Sequence, residues 1–303
     1  MTANVRQLVR IGLTVNDLDR ASAFYREALG FRSAENQPSP PRKDGGSARD
    51  GVRSERLRLG SQEIELCQFH FQGEAYPADS TAADLWFQHF AIVTRDIESA
   101  VALLVAYGAN PITLDGPQRL PPVSGSVVAY KFRDPDGHPL ELIQFPRGSA
   151  GFAQPSGSVG PTVGIDHSAL SVADADRSIA FYAALGLSLG SRQLNIGPAQ
   201  DRLDGLSGVS VEVVAMLPAE TRTPHVELLS YDAPRGRAAH PASSGRDIAD
   251  SSLIFEVADL RGLIDNLATA GISTVISSQD GASISAAELR DPDGHRIVLL
   301  QAT

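Results

Sequence analysis

Residues 133–144, RDPDGHPLELIQ, return at 290–301 as RDPDGHRIVLLQ. A repeated element of this length constrains the fold more than anything else in the chain, because it marks a duplicated architecture. Proline presets φ, the aspartates fold back on the backbone and glycine accepts positive φ, so each copy predicts a tight turn followed by an alternating strand. The copies differ inside that strand, where Glu141 in the first is replaced by Val298 in the second. An ionisable side chain at a position that is apolar in the sister copy is a candidate for chemistry.

A shorter unit lies within the long repeat. It opens with the alternating run Leu8–Val15, continues through Asn16 and Asp17 into a helix with apolar Leu18, Ala21, Phe24, Tyr25, Ala28 and Leu29, and stops at Gly30. Short strands follow near 55–59 and 63–69, giving βαβββ. Three more units begin at Phe87, Val163 and Ser252, and the third repeats the first's Phe-Tyr pair as Phe181-Tyr182. The expected organisation is an N-terminal domain, 1–147, with modules near 5–70 and 86–146, and a C-terminal domain, 162–303, with modules near 163–231 and 250–301. Residues 36–51 have no periodicity and read as an insertion, disordered or a lid; 148–161 link the halves and 232–246 separate units three and four.

A net charge of −10 at pH 7 argues against nucleic acid or an anionic membrane as partner, since either needs a clustered basic footprint. No apolar run is long enough to span a bilayer and the first residues lack a leader's apolar region, so a cytoplasmic address is expected. The single cysteine, Cys67, forms no intrachain disulfide and reads as packing. A small-molecule substrate and a monomer or homodimer are the expected partners.

The succession V-x-D-L-D-R-A-x-x-F-Y on the first helix, three strands and R-D-P-D-G-H-x-x-E-L resembles the vicinal oxygen chelate superfamily. That family includes glyoxalase I, methylmalonyl-CoA epimerase, extradiol dioxygenases and the fosfomycin and bleomycin resistance proteins. The resemblance implies an α+β fold of four βαβββ modules in two incomplete mixed β-barrels with helices packed outside. It also implies a metal inside a barrel, held by one residue on the first strand and one on the last strand of each unit. Carried over, those positions are Arg10 and Glu65, His89 and Glu141, His167 and Glu227, and Ser252 and Val298. Only the middle two units are complete, and two His with two Glu suit a divalent ion such as Ni, Zn, Co, Fe or Mn.

Two pairings of the units are open. Adjacent pairing, one with two and three with four, gives two damaged sites. Pairing two with three puts all four ligands in one cavity and collects the losses in the other, so it is the arrangement inferred here. A lone strand histidine is more often satisfied by a backbone group than by an ion; four residues in matched positions of two repeats reverse that preference. Arg10 reads either as a substrate-anion clamp or as a salt bridge to Glu65. Tyr130 is a second candidate for substrate binding, against a core role, while His138 and His295 read as turn or surface residues.

The resemblance implies a metal-dependent lyase or isomerase of glyoxalase type acting on a small oxygenated substrate, with Glu141 or Glu227 as general base. Alternatives are a secondary-metabolite tailoring enzyme, an antibiotic-binding resistance protein with no turnover, and an extradiol dioxygenase. The last is disfavoured because Ser252 and Val298 stand where it needs a His and a Glu.

Overall fold

A computed structural model describes residues 5–34, 51–148, 161–238, 245–280 and 283–302. Nearly all of the insertion expected at 36–51 and of the linker at 148–161, and part of 232–246, lie outside the described residues. Unit one contains β1 (Val5–Thr14), α1 (Leu18–Glu27), β2 (Arg32–Ser33), β3 (Val52–Leu59) and β4 (Gln62–Phe69). Unit two follows with β5 (Gln88–Thr94), α2 (Ile97–Ala106), β6 (Asn110–Pro111), β7 (Gln118–Arg119), a 3-10 turn (Pro122–Ser124), β8 (Val128–Arg133) and β9 (Pro139–Gln144). Unit three has β10 (Thr162–Val172), α3 (Ala175–Ala184), β11 (Ser188–Ile196), α4 (Pro198–Asp204), β12 (Ser210–Leu217) and β13 (His225–Ala233). Unit four ends the chain with β14 (Ser252–Val257), α5 (Leu260–Thr269), β15 (Val275–Asp280), β16 (Ser283–Arg290) and β17 (Arg296–Gln301).

The helices that follow the first strand of each unit start for the same local reason. Asp17, Asp96, Asp174 and Asp259 each accept a hydrogen bond from the backbone N–H three residues on, which satisfies one donor that a helix N-terminus leaves free. α4 begins differently, with Pro198 just after Gly197, and ends at Gly205, whose φ of 64° is the left-handed conformation glycine adopts at low cost.

Two mixed sheets result, one joining the outer two units and the other the inner two. One has the order β15-β16-β17-β14-β1-β4-β3-β2 and joins units one and four through antiparallel β1 and β14. The other has the order β11-β12-β13-β10-β5-β9-β8-β6 and joins units two and three through antiparallel β5 and β10. The favoured pairing is therefore the one the backbone adopts. Each sheet presents one face to the helices, and those faces share one apolar core that includes Ile11, Leu13, Tyr25, Phe90, Tyr182, Phe255 and Leu299.

Unit one is held to unit two, and unit three to unit four, by the repeated turns instead. Asp134 accepts from the backbone N–H groups of Asp136 and His138 at 2.9 Å each, and from the hydroxyl of Tyr25 in α1 at 2.8 Å. Tyr182 of α3 reaches Asp291 of unit four in the same way, at 3.2 Å. His138 and His295 are thus turn residues but not surface ones. Both are buried: His138 Nδ1 lies 2.9 Å from Asp134, and His295 Nε2 lies 3.0 Å from the carbonyl of Ser171.

Burial disfavours charge on His138, but Asp134 and Asp136 outweigh it and raise its pKa, while Asp134 is held below the usual carboxylate range. A raised histidine pKa contributes stability below its unfolded value of about 6.5 and loses it as pH rises through the folded value. The stability difference between the unaltered protein and His138→Gln is therefore expected to be largest near pH 6 and to shrink with rising pH. Urea melts across that range check this; a gap that stays constant with pH would refute it.

Candidate metal centre

The four carried-over ligands meet because of strand parity and register. In β5 and β9 Ala91 pairs with Glu141, and in β10 and β13 Ala169 pairs with Glu227; each histidine sits two residues before that pairing position. Side chains two apart share a face, so each imidazole and its glutamate point to the same side. Antiparallel pairing of β5 with β10 sets His89 opposite Ala169 and Ala91 opposite His167, which brings both units' ligands together.

The resulting cluster is compact and buried. His89 Nε2 is 2.9 Å from Glu141 Oε2, His167 Nε2 is 4.0 Å from the same oxygen and 3.4 Å from Glu227 Oε2, and the two imidazole centroids are 5.8 Å apart. One ligand atom from each of His89, Glu141 and His167 lies within 4.8 Å of the others, and Glu227 adjoins this group through His167. Although the His89 contact is short, it is outside hydrogen-bonding geometry: Nε2 of both histidines is buried with no hydrogen-bond partner. Buried polar atoms are rarely left in that state, so two imidazole nitrogens and two carboxylates facing one another fit a shared divalent ion.

Electrostatics agrees. Burial pulls the His167 pKa down, but Glu227, Asp166 and Glu141 together push it up to about 9. Glu227 is driven up by burial, yet His167 and His225 bring it down to about 2. His89, with burial dominant, is lowered and stays neutral. The cluster thus takes a proton onto His167 to offset its carboxylates, and an ion would take the place of that proton. Asp166, 3.0 Å from His167 Nδ1, orients the ring from behind, the arrangement usual for a ligating histidine.

Comparison with known proteins gives the family and the fold. The family model described as Glyoxalase/Bleomycin resistance protein/Dioxygenase superfamily matches residues 7–142 and again 164–299. The chain belongs to that superfamily. Among curated relatives, "Lactoylglutathione lyase GLX1" of Arabidopsis thaliana is 30% identical over 189 residues, covering 61% of this chain and 56% of the relative. "Lactoylglutathione lyase" of Haemophilus influenzae is 29% identical over 147 residues, covering 46% and 92%. The chain spans about half the length of the first curated relatives it matches. Glyoxalase I from Zea mays has the same fold, with a TM-score of 0.64 at 23% identity, over 98% of this chain and 92% of the maize chain.

The other sheet differs at these positions. Arg10, Glu65, Ser252 and Val298 occupy the corresponding positions of the other sheet. Arg10 Nη1 contacts Glu65 Oε2 at 3.3 Å and its Nε lies 4.0 Å from Glu63, so a fixed guanidinium stands beside the carboxylate. That is the salt-bridge reading of Arg10. The clamp reading concerns the vacant set of positions in this same sheet, where Glu65 already engages the guanidinium.

Tyr130 requires a correction. It pairs with Leu142, stacks on Phe132 at 6.3 Å and joins the helix-side core, so it faces away from the cluster. Its neighbour Lys131, opposite Glu141, is the residue on the ligand face. Sequence reading also passed over His225, whose Nε2 is 3.6 Å from Glu227, and Asp166. The signal was available for His225, since a residue two before Glu227 shares its face.

Proposed function

We propose that the chain is a metal-dependent lyase or isomerase of glyoxalase type, with its site at His89, Glu141, His167 and Glu227. The observation that carries this reading is the convergence of His89, Glu141 and His167, with ligand atoms within 4.8 Å of one another, and Glu227 3.4 Å from His167. Relatives named lactoylglutathione lyases support the reaction class and make lactoylglutathione the first molecule to assay. A divalent ion held by the four residues supplies a Lewis acid for negative charge that builds on two adjacent substrate oxygens. Everything else is done by side chains. Glu227, whose side chain is 22% exposed against 8% for Glu141, is the carboxylate placed to meet a substrate C–H and carry its proton to the neighbouring carbon. Glu141, wedged against His89, stays in place, and Asp166 keeps the His167 ring oriented.

The test is exchange of the C–H proton next to the carbonyl of hydroxyacetone in heavy water, followed by NMR, alongside turnover of lactoylglutathione. Protein loaded with a divalent ion is expected to exchange the proton, chelated protein to stop, and re-addition of the ion to restore it. Glu227→Gln is expected to slow exchange by about 10²–10⁴-fold. Activity that survives complete removal of the ion would sink the proposal. His89, Glu141 and His167 alone are also a two-His, one-carboxylate set; oxygen uptake with a catechol would move the reading to ring cleavage.

A further inference from the structure

Lys131 stands on β8 directly across from Glu141, so its side chain lies on the same sheet face as the four candidate ligands. It is only 3% exposed, and its ammonium is matched: Nζ donates to Asp204 Oδ1 at 2.6 Å. Asp204 also accepts from the Tyr231 hydroxyl at 3.0 Å and from Gln200 Nε2 at 2.8 Å, so three donors fix one buried carboxylate. α4 delivers Asp204, and among the described residues no other unit has a helix at that place.

The unit-three half of the same sheet face is built differently. The position across from Glu227 is Ala215, where a methyl group replaces the long cationic chain. The centre is therefore asymmetric, with a fixed cation beside Glu141 and a small apolar side chain beside Glu227. Holding a helix does not require this. An apolar pair of similar volume usually stabilises as well as a buried ion pair, whose desolvation offsets most of its attraction. A cation beside a chelating centre does have a chemical use, since an ammonium has three protons to donate and Asp204 accepts one of them.

We infer that Lys131 is a specificity-determining residue of this site: it receives an anionic oxygen of the substrate, which makes small oxygenated acids the preferred class. This rests on the metal-centre reading above. The substrate presents two adjacent oxygens to the ion, its carboxylate lies on the Lys131 side, and its uncharged end lies toward Ala215. Asp204 is a positioning residue that holds the ammonium without touching substrate.

The experiment uses the full chain loaded with Co²⁺, whose visible absorption reports both ion uptake and displacement of solvent by a ligand. Glycolate, an acid, and hydroxyacetone, its uncharged counterpart, are titrated separately. Removing the cation alone leaves the buried Asp204 without a counter-charge, so the variant compared is the double substitution Lys131→Met with Asp204→Asn, checked for an intact thermal transition. The glycolate-to-hydroxyacetone affinity ratio is expected to fall by about tenfold or more, the usual worth of a hydrogen bond to a charged group, while Co²⁺ stoichiometry is kept. If the double variant keeps the ratio and loses only thermal stability, Lys131 is an anchor for α4 and the inference is overturned. A variant that fails to fold is replaced by Lys131→Gln with Asp204→Asn in the same titrations, where an unchanged ratio overturns it equally. Unaltered protein that takes up no Co²⁺ overturns the metal-centre reading, and this inference with it; uptake without a glycolate preference overturns this inference alone.

Discussion

His89→Ala and His167→Ala are each expected to lower divalent-ion affinity by at least about 100-fold, while Ser252→Ala leaves it unchanged. Changing only the groups behind a ligand costs about 10–100-fold, so removing the ligand itself costs more. Equal losses from the two histidines follow from their shared location: β5 and β10 are paired, and both imidazoles border Glu141, at 2.9 and 4.0 Å. Ser252 provides the control because it occupies the matching first-strand position in the other sheet, beside Val298 rather than a carboxylate. Equilibrium dialysis followed by elemental analysis of the protein measures the effect. A large loss from one histidine with none from the other would break the four-residue centre, and a loss from Ser252→Ala would show that the second cavity takes part.

Phe90→Ala is expected to destabilise the protein by about 3–5 kcal/mol, a large share of the roughly 5–15 kcal/mol that holds a typical domain folded. Phe90 lies beside His89 in sequence but on the opposite face of β5, 2% exposed, with its ring stacked on Tyr25 at 6.4 Å. Tyr25 is packed edge-on against Phe24 and Phe31, and its hydroxyl holds Asp134, so the deletion empties the place where unit one's helix meets unit two's sheet and turn. Neighbours anchored on both sides collapse little into such a void, which puts the cost at the upper end for a core truncation. Chemical denaturation gives the number. A loss below about 1 kcal/mol would mean that α1 moves freely against β5 and that the clasp does not tie the units together.

The two effects separate the roles of neighbouring residues on one strand. His89 faces the ligand side and Phe90 the helices, and a shift of one residue in register would exchange them. The same parity explains the error over Tyr130 and the oversight of Lys131. Tyr130 pairs with Leu142, and Lys131 is the residue opposite Glu141. Counting back by two from Glu141 and Glu227 would also have led to His225. Asp204 had a weaker signal: Gly197-Pro198 and Gly205 bracket a helix of only seven residues, too short to show periodicity.

What the amino-acid sequence determined by itself is the set of local decisions: four βαβββ units, an aspartate at the start of each unit's first helix, glycine at its end, and a His and a Glu on matching faces in units two and three. Those follow from interactions between residues a few positions apart, which turn chemistry, capping and strand alternation record directly. Which unit's edge meets which was left open by the strand patterns, because β1 and β5 each offer a buried strand edge to any antiparallel partner of suitable length. Tertiary structure decided it, joining β5 to β10 and β1 to β14 while Tyr25 and Tyr182 clasp the turns of the following units. The placement of Lys131 beside Asp204, 73 residues away in the chain, belongs to the same class of fact. Such contacts depend on how whole sheets and helices dock, and no short window of sequence carries that information.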